Sequence, residues 1–199
     1  PNHVPGLYEA FGMPEFDSLY VKYEKDKSIP KQTIGAQELF QALLKERAET
    51  GRIYIMNLDH CNTHSSFKDK VYMSNLCQEI TLPTTPVQHI DDKEGEIALC
   101  ILSAVNLGLL TDMNELEELC DLSVRALDEI IDYQEYPVEA AKISAQSRRS
   151  LGIGYIGLAH YLAKNQVKYE DKKAWKLVDK ITEAFQFYLL KASNNLAKE

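Results

Sequence analysis

Residues 97–105, with the sequence IALCILSAV, form an unbroken apolar run, and this run decides the fold class that we predict. It has no 3.6-residue period, and Gly95 and Gly108 bracket it. A continuous apolar segment of this length is typical of a strand that is buried on both faces of an α/β protein. The sequence therefore predicts a buried strand over 97–105 in an α/β fold.

Helical patterns flank this strand on both sides. The clearest lies within 112–132, where one stripe carries Leu116, Cys120, Val124, Leu127 and Ile131. Further helices are predicted over 14–26, over 36–49, from Pro137 to about Ser147, over GLAHYLAK (157–164), and from Asp171 onward. The apolar stripe of the last segment is Trp175, Val178, Ile181, Phe185, Tyr188, Ala192 and Leu196. A second strand is predicted over 52–57 (RIYIMN), followed by a polar loop over 59–67.

Composition narrows the class of protein. With 199 residues, 45% of them hydrophobic, the chain can bury a core as one domain or two small ones. A net charge of −8 argues against a nucleic-acid or membrane surface as partner. The N-terminal sequence lacks a signal-peptide layout, so we expect a cytosolic protein whose four cysteines begin as thiols. Because the chain starts at Pro1 and ends in a helical pattern without a glycine cap, we also expect a piece of a larger protein.

Gly152, Gly154 and Gly157 form the pattern GIGYIG, which matches the GxGxxG turn of dinucleotide-binding proteins. That turn needs a preceding strand, whereas here the polar and helical segment SAQSRRSL precedes the glycines. No strand ending in Asp or Glu follows about 20 residues later to hold a ribose. Close packing of the following helix is the more common explanation for these glycines.

A second group combines metal-capable side chains in one short segment: Asp59, His60, Cys61 and His64. Structural zinc sites use four ligands, usually in two separated pairs, and the chain offers no second pair. Polar packing in a loop is therefore the more common explanation, and we predict no metal site.

The segment SNLCQEI, residues 74–80, places Asn75, Cys77 and Glu79 at intervals of two. On an extended or loop segment these side chains would share one side, whereas on a helix they would diverge by about 200° per step. Such a row offers an amide, a thiol and a carboxylate to one small substrate. From spacing alone, a half-buried strand with polar residues on its wet face is the more common explanation.

These segments together resemble the large catalytic subunit of class I ribonucleotide reductase. The similarity is colinear and covers nearly the whole chain, through VPGLYEAF, MNLDHCNTHS, SNLCQEI, GEIALCILSAVNLG, RRSLGIGYIGLAHYLAK and YLLKASNNLAKE. It implies that residues 1–199 are the central part of the catalytic barrel domain, without the ATP cone and the C-terminal part. The implied fold is a portion of a ten-stranded α/β barrel, surrounded by helices, with a catalytic loop through its centre.

The resemblance also implies roles for individual residues. Cys77 matches the cysteine that carries a thiyl radical, and Asn75 and Glu79 match its polar companions, with Leu76 and Gln78 completing the substrate-binding segment. Cys100 matches one member of the redox-active pair, whose partner lies outside this chain. We expect Cys77 and Cys100 to approach one cavity. Cys61 and Cys120 match no catalytic position, and the stripe of 112–132 places Cys120 in the core.

The implied reaction reduces ribonucleoside diphosphates to deoxyribonucleotides for DNA synthesis. A thiyl radical removes the 3′-hydrogen, Glu79 serves as general base for the 3′-hydroxyl, and Asn75 holds the sugar hydroxyls. The 2′-hydroxyl then leaves as water while two thiols close to a disulfide.

The resemblance further implies partners for the complete enzyme. They are the remaining segments of the large subunit, a small subunit with a diiron-tyrosyl radical, thioredoxin or glutaredoxin, and ATP or dNTP effectors. We expect no cofactor in this segment and no activity of the segment alone. We expect the protein in the cytosol of a bacterium or of a virus-infected host. Two alternatives remain at this point: a non-catalytic assembly module of a split subunit, and a dinucleotide-binding oxidoreductase that uses GIGYIG.

Overall fold

The computed structural model describes residues 3–199, so Pro1 and Asn2 of the predicted domain 1–199 lie outside the described residues. The chain divides into two units, one ending at Thr85 and the other running from Pro86 to Glu199. No helix in the described part of the chain is long and apolar enough to cross a membrane.

The first unit contains the helices α1 (Phe16–Lys25), α2 (Ala36–Thr50) and α3 (Leu58–Thr63). The first two confirm the predictions for 14–26 and 36–49. Gly51 ends α2 in the left-handed conformation, with φ of 64°, and its N–H donates to the Arg47 carbonyl over 2.9 Å. Neither α1 nor α2 buries a side chain.

In this unit the predicted strand over 52–57 is wrong, and the predicted loop over 59–67 is wrong for 59–63, which lie in α3, and correct for 64–67. Within the described residues, 52–57 is not assigned to a strand, and α3 starts directly after it at Leu58. β-branched and aromatic residues favour a strand only where a neighbouring strand pairs with them, and here 52–57 has no such ladder.

The second unit is an α/β arrangement around two parallel strands. Its elements are β1 (Ile101–Asn106), a short 3₁₀ helix (Leu107–Leu109), α4 (Glu115–Tyr133), α5 (Glu139–Arg148), β2 (Leu151–Ile156), α6 (Leu158–Lys164) and α7 (Lys172–Leu196). The register pairs Ile101 with Leu151 at one end and Asn106 with Ile156 at the other. Helices α4, α5, α6 and α7 confirm the helical predictions for this half of the sequence.

The core lies on one face of the strand pair. All five residues of the predicted α4 stripe are buried. Two of them, Leu116 and Cys120, share a core cluster with Val105 from β1 and with Ile181 and Phe185 from α7. Ile153 and Tyr155 from β2 pack against this cluster. The apolar stripe of α4 therefore positions the sheet against α7.

The predicted stripe of α7 is wrong at Trp175, which is 66% exposed, while Ala174 is buried in its place. Trp175 precedes Ile181 by six residues, which turns it about 120° away from the buried stripe at 100° per residue. Ala174 precedes Ile181 by seven residues and stays on the stripe.

The strand predicted over 97–105 needs two corrections. Its ladder begins at Ile101 and ends at Asn106, so residues 97–100 precede it. It is not buried on both faces, because Leu102 is 62% exposed on the face away from the core. The continuous apolar sequence is typical of a strand with a neighbour on each side in the sheet, yet within residues 3–199 only β2 pairs with β1.

Candidate functional site

Residues 74–80 form a turn rather than a strand. The Gln78 N–H donates to the Asn75 carbonyl over 3.1 Å, and Gln78 has a φ of 63°. The Asn75 side-chain oxygen accepts the Ile80 N–H over 3.0 Å. Asn75 therefore closes the turn twice, once through its backbone and once through its amide.

The turn corrects our geometric argument for the row of Asn75, Cys77 and Glu79. We predicted an extended or loop segment, and the segment is a loop, but the strict alternation of an extended chain does not hold where the chain reverses direction. All three side chains are nevertheless exposed, as is Leu76, whereas Gln78 is partly buried. The predicted substrate-binding residues thus sit at an accessible turn.

The segment leading into this turn is fixed by Asn62 from α3. Its side-chain nitrogen donates to the Val71 carbonyl over 2.9 Å, and its side-chain oxygen accepts the Val71 N–H over 2.8 Å. Val71 is fully buried, so this two-bond bracket anchors the chain four residues before Asn75. Asn62 is not among the residues predicted from the sequence, because nothing in the segment MNLDHCNTHS distinguishes an amide that binds a distant backbone segment.

Cys100 lies in the second unit, directly before β1. Its thiol is half-buried and contacts the Ile101 carbonyl at 3.8 Å, and burial raises its pKa. Together with Leu102 it lies beside Gly152, on the face of the strand pair opposite the core. The thiol therefore projects from the sheet on the side that carries no helix of the hydrophobic core.

The residues predicted to act together are distributed over both units. Asn75, Cys77 and Glu79 belong to the first unit and Cys100 to the second. A common cavity for the two thiols stays a prediction.

The glycine pattern GIGYIG does not form a strand-to-helix turn as a whole. Gly152 and Gly154 lie inside β2, and only Gly157 is at the start of α6, with a φ of 75°. A Cβ on Gly157 would lie 2.3 Å from the Asn106 side-chain oxygen, so this glycine permits the close approach of α6 to the end of β1. The predicted packing role is confirmed at Gly157, but we missed the strand that contains the other two glycines.

The two remaining cysteines differ in environment. Cys120 is fully buried on α4, as predicted, and burial raises its pKa to about 11. Cys61 lies on α3 among the metal-capable residues, where the His60 and Asp59 side chains are 3.9 Å apart. Across residues 3–199, no three His, Cys, Asp or Glu side chains are grouped to hold a metal ion.

A protein-family model matches the chain along its whole length. The family model described as the ribonucleotide reductase barrel domain matches residues 1–199. The chain belongs to the ribonucleotide reductase barrel-domain family. The predicted resemblance is thereby confirmed, and the fold is of the α/β barrel type of this family.

Individual relatives agree with the ribonucleotide reductase assignment. Over 204 residues the chain is 59% identical to the ribonucleoside-diphosphate reductase subunit alpha of Buchnera aphidicola and 60% identical to that of Haemophilus influenzae. Both alignments cover 100% of this chain and 27% of the relative. The chain thus spans about a quarter of the length of these relatives.

A solved structure is also similar. The class Id ribonucleotide reductase alpha subunit of Actinobacillus ureae superimposes with a TM-score of 0.65 at 28% identity. This superposition covers 92% of the chain and 34% of the solved protein.

Proposed function

We propose that this chain supplies the radical-carrying turn and one redox thiol of an enzyme that reduces ribonucleoside diphosphates to 2′-deoxyribonucleoside diphosphates. The observation that carries the proposal is Cys77, an exposed thiol on a turn that Asn75 closes, in a chain of the ribonucleotide reductase barrel family. Its exposure leaves the sulfur accessible to a ribose, as abstraction of the 3′-hydrogen requires.

The residues around Cys77 have matching chemistry. Glu79 is an exposed carboxylate two residues away, and it takes the 3′-hydroxyl proton as general base. The Asn75 side-chain oxygen is engaged in the turn, and the same amide has two N–H donors for sugar hydroxyls. Leu76 and Gln78 contact the substrate on either side of the thiol in this proposal.

Cys100 supplies electrons later in the cycle. It and a second thiol from outside this chain each give up one hydrogen as an S–S bond forms. Two electrons and two protons pass to the substrate, whose 2′-oxygen leaves as water and is replaced by hydrogen. Burial raises the pKa of Cys100, so the thiol is protonated at neutral pH and holds the hydrogen that this step consumes.

The complete enzyme requires further parts. We propose that β1 and β2 belong to a ten-stranded barrel completed by other segments of the large subunit. The radical arises in a small subunit with a diiron-tyrosyl centre, thioredoxin or glutaredoxin reopens the disulfide, and ATP or dNTPs act as effectors. The names of the relatives, all alpha subunits, support a second type of subunit.

The test uses a complete alpha subunit that carries these residues, together with its small subunit and 3′-tritiated substrate. Cys77→Ser abolishes tritium release, because an O–H bond is too strong to form and re-form in a radical shuttle. Cys100→Ala retains tritium release but loses turnover with a physiological dithiol reductant. Cys61→Ser is the matched control, because Cys61 matches no catalytic position, and it keeps both activities.

Two outcomes contradict the proposal. The first is tritium release by the Cys77→Ser enzyme, and the second is normal turnover of Cys100→Ala with the dithiol reductant. The 199-residue chain alone should release no tritium, because a second thiol and a radical source must come from elsewhere. Restoration of activity by adding the other segments to a Cys77→Ser chain would favour a non-catalytic assembly role instead.

A further inference from the structure

Gly152 on β2 faces the Cys100 thiol across the strand pair. A Cβ placed on Gly152 would lie 2.9 Å from the Cys100 sulfur and 2.5 Å from Cδ2 of Leu102. Both separations are shorter than real Cβ contacts, so no residue with a side chain fits at 152 while the thiol and the leucine stay where they are. We call the space that these two side chains fill beside the glycine the Gly152 hollow.

Gly154 provides an internal comparison on the same strand. It is two residues further along β2 and therefore faces the same side of the sheet as Gly152. A Cβ on Gly154 would meet nothing within 4 Å. Strand geometry alone therefore does not require a glycine on this face. A glycine is required at 152 because the Cys100 and Leu102 side chains lie so close to it.

We propose that Gly152 is a positioning residue for the redox chemistry of Cys100. The hollow lets the thiol lie against β2, in the position from which it closes to a disulfide with its partner. This inference rests on the role given to Cys100 in the proposed function. A methyl group at 152 would rotate the thiol away, and disulfide formation tolerates little displacement because the two Cβ atoms must come within about 3.5–4.5 Å.

The expected effect is selective for one half of the reaction. Abstraction of the 3′-hydrogen uses Cys77 and does not consume the Cys100 thiol, so Gly152→Ala retains 3′-tritium release in the complete enzyme. Turnover with a dithiol reductant falls by on the order of a hundredfold, the loss that a displacement of about 1 Å can cause. Gly154→Ala is the matched control and stays within about twofold of wild type, because its methyl group enters open space.

A second readout follows the thiol itself. After a single turnover without reductant, the remaining free thiols are alkylated and the labelled peptides are quantified. Wild type and Gly154→Ala protect Cys100 as a disulfide, whereas Gly152→Ala leaves it free and labelled. Equal protection in Gly152→Ala and wild type would overturn the inference.

The double variant Leu102→Ala/Gly152→Ala separates the thiol from the leucine. Truncating Leu102 removes the closer of the two steric contacts of the new methyl group, and with it any destabilisation of the fold that this contact causes. The contact with the Cys100 sulfur remains. Turnover stays low if the thiol is displaced. Recovery to the level of Leu102→Ala alone would overturn the inference, because the leucine would then have carried the effect.

Cys100→Ala is the reference that distinguishes the two proposals. If it turns over normally, the proposed function of Cys100 is wrong and this inference falls with it. If it is impaired while Gly152→Ala is normal, the role of Cys100 stands and only the inference about Gly152 is wrong.

Discussion

Individual thiols in this chain differ because their surroundings differ. Cys77 is exposed on a turn, Cys100 is half-buried beside a glycine, and Cys120 is fully buried. Desolvation disfavours a thiolate, so it raises the pKa of both Cys100 and Cys120. One residue type thereby occupies an exposed, a partly buried and a fully buried setting in the same chain.

The raised pKa of Cys120 predicts how stability depends on pH. The thiol ionises near its ordinary value of 9.0 in the unfolded chain but only at about 11 in the folded chain. This stabilising contribution is present below pH 9 and is lost as the pH rises towards 11. Urea unfolding of wild type and Cys120→Ala should show wild type losing about 1–3 kcal/mol more over this window. Parallel curves for the two proteins would contradict the prediction.

Arg149 combines backbone strain with ion pairs. It has a φ of 46°, and its guanidinium binds Asp128 at 2.6 Å and Asp132 at 2.8 Å. Arg149→Ala should lower the free energy of unfolding by about 1–3 kcal/mol, because the strain remains and the pairs are lost. Arg149→Gly should lower it by about 1 kcal/mol less, because glycine adopts positive φ freely. Chemical denaturation of the three proteins measures both differences, and equal losses would refute the strain argument.

Residue identities at the site were predictable, but the backbone that presents them was not. The thiol, amide and carboxylate of 75–79 are visible in the sequence with their spacing. The turn depends on a positive φ at Gln78, and glutamine gives no sign of it, as glycine would. The bracket from Asn62 to Val71 is likewise a tertiary contact between residues that local patterns treat separately.

Among the elements, helices were predicted more accurately than strands. The α4 stripe repeats over about four turns, so its burial follows from periodicity alone. The strand β2 was missed because glycines at 152 and 154 lower strand propensity. At Gly152 the glycine reflects the close neighbours Cys100 and Leu102, which a local pattern does not show. The strand predicted over 97–105 was correct in type, but its bounds were shifted, since the ladder starts where β2 can pair with it.

The α4 helix offers a matched pair of leucines for testing the core. Leu116 is fully buried, whereas Leu122 on the same helix is 61% exposed. Leu116→Ala should lower the free energy of unfolding by about 2–5 kcal/mol, because it leaves a cavity between α4 and its neighbours. Leu122→Ala should change it by no more than about 0.5 kcal/mol. Thermal and urea unfolding give the comparison, and similar losses at both positions would mean that the α4 stripe is assigned to the wrong face.

At the scale of the whole molecule, burial is distributed unevenly between the two units. Of the buried apolar residues among 3–199, the first unit holds Ala10, Leu58, Val71 and Pro83, and the second unit holds all the others. The α/β class was predictable from the apolar run and the helical periodicities. The division at Thr85 was not, because no linker composition marks it.

This distribution predicts different behaviour of the two units as separate polypeptides. Residues 86–199 contain the core of α4, α7 and the strand pair, so they should show helical circular dichroism and a cooperative thermal transition. The described residues 3–85 bury too little apolar surface to offset the entropy of ordering, so a polypeptide of residues 1–85 should melt without a cooperative transition. A sharp transition of 1–85 alone would contradict this.

The parallel pairing of β1 with β2 has a consequence for protein synthesis. Ile101 pairs with Leu151, fifty residues later in the chain, so β1 leaves the ribosome well before its partner exists. At translation rates of about 5–20 residues per second, the apolar run of β1 waits roughly 3–10 seconds for β2. Helix α4 emerges in that interval and folds locally within microseconds, so among the helices of the second unit it is the first whose apolar stripe can shelter the nascent strand.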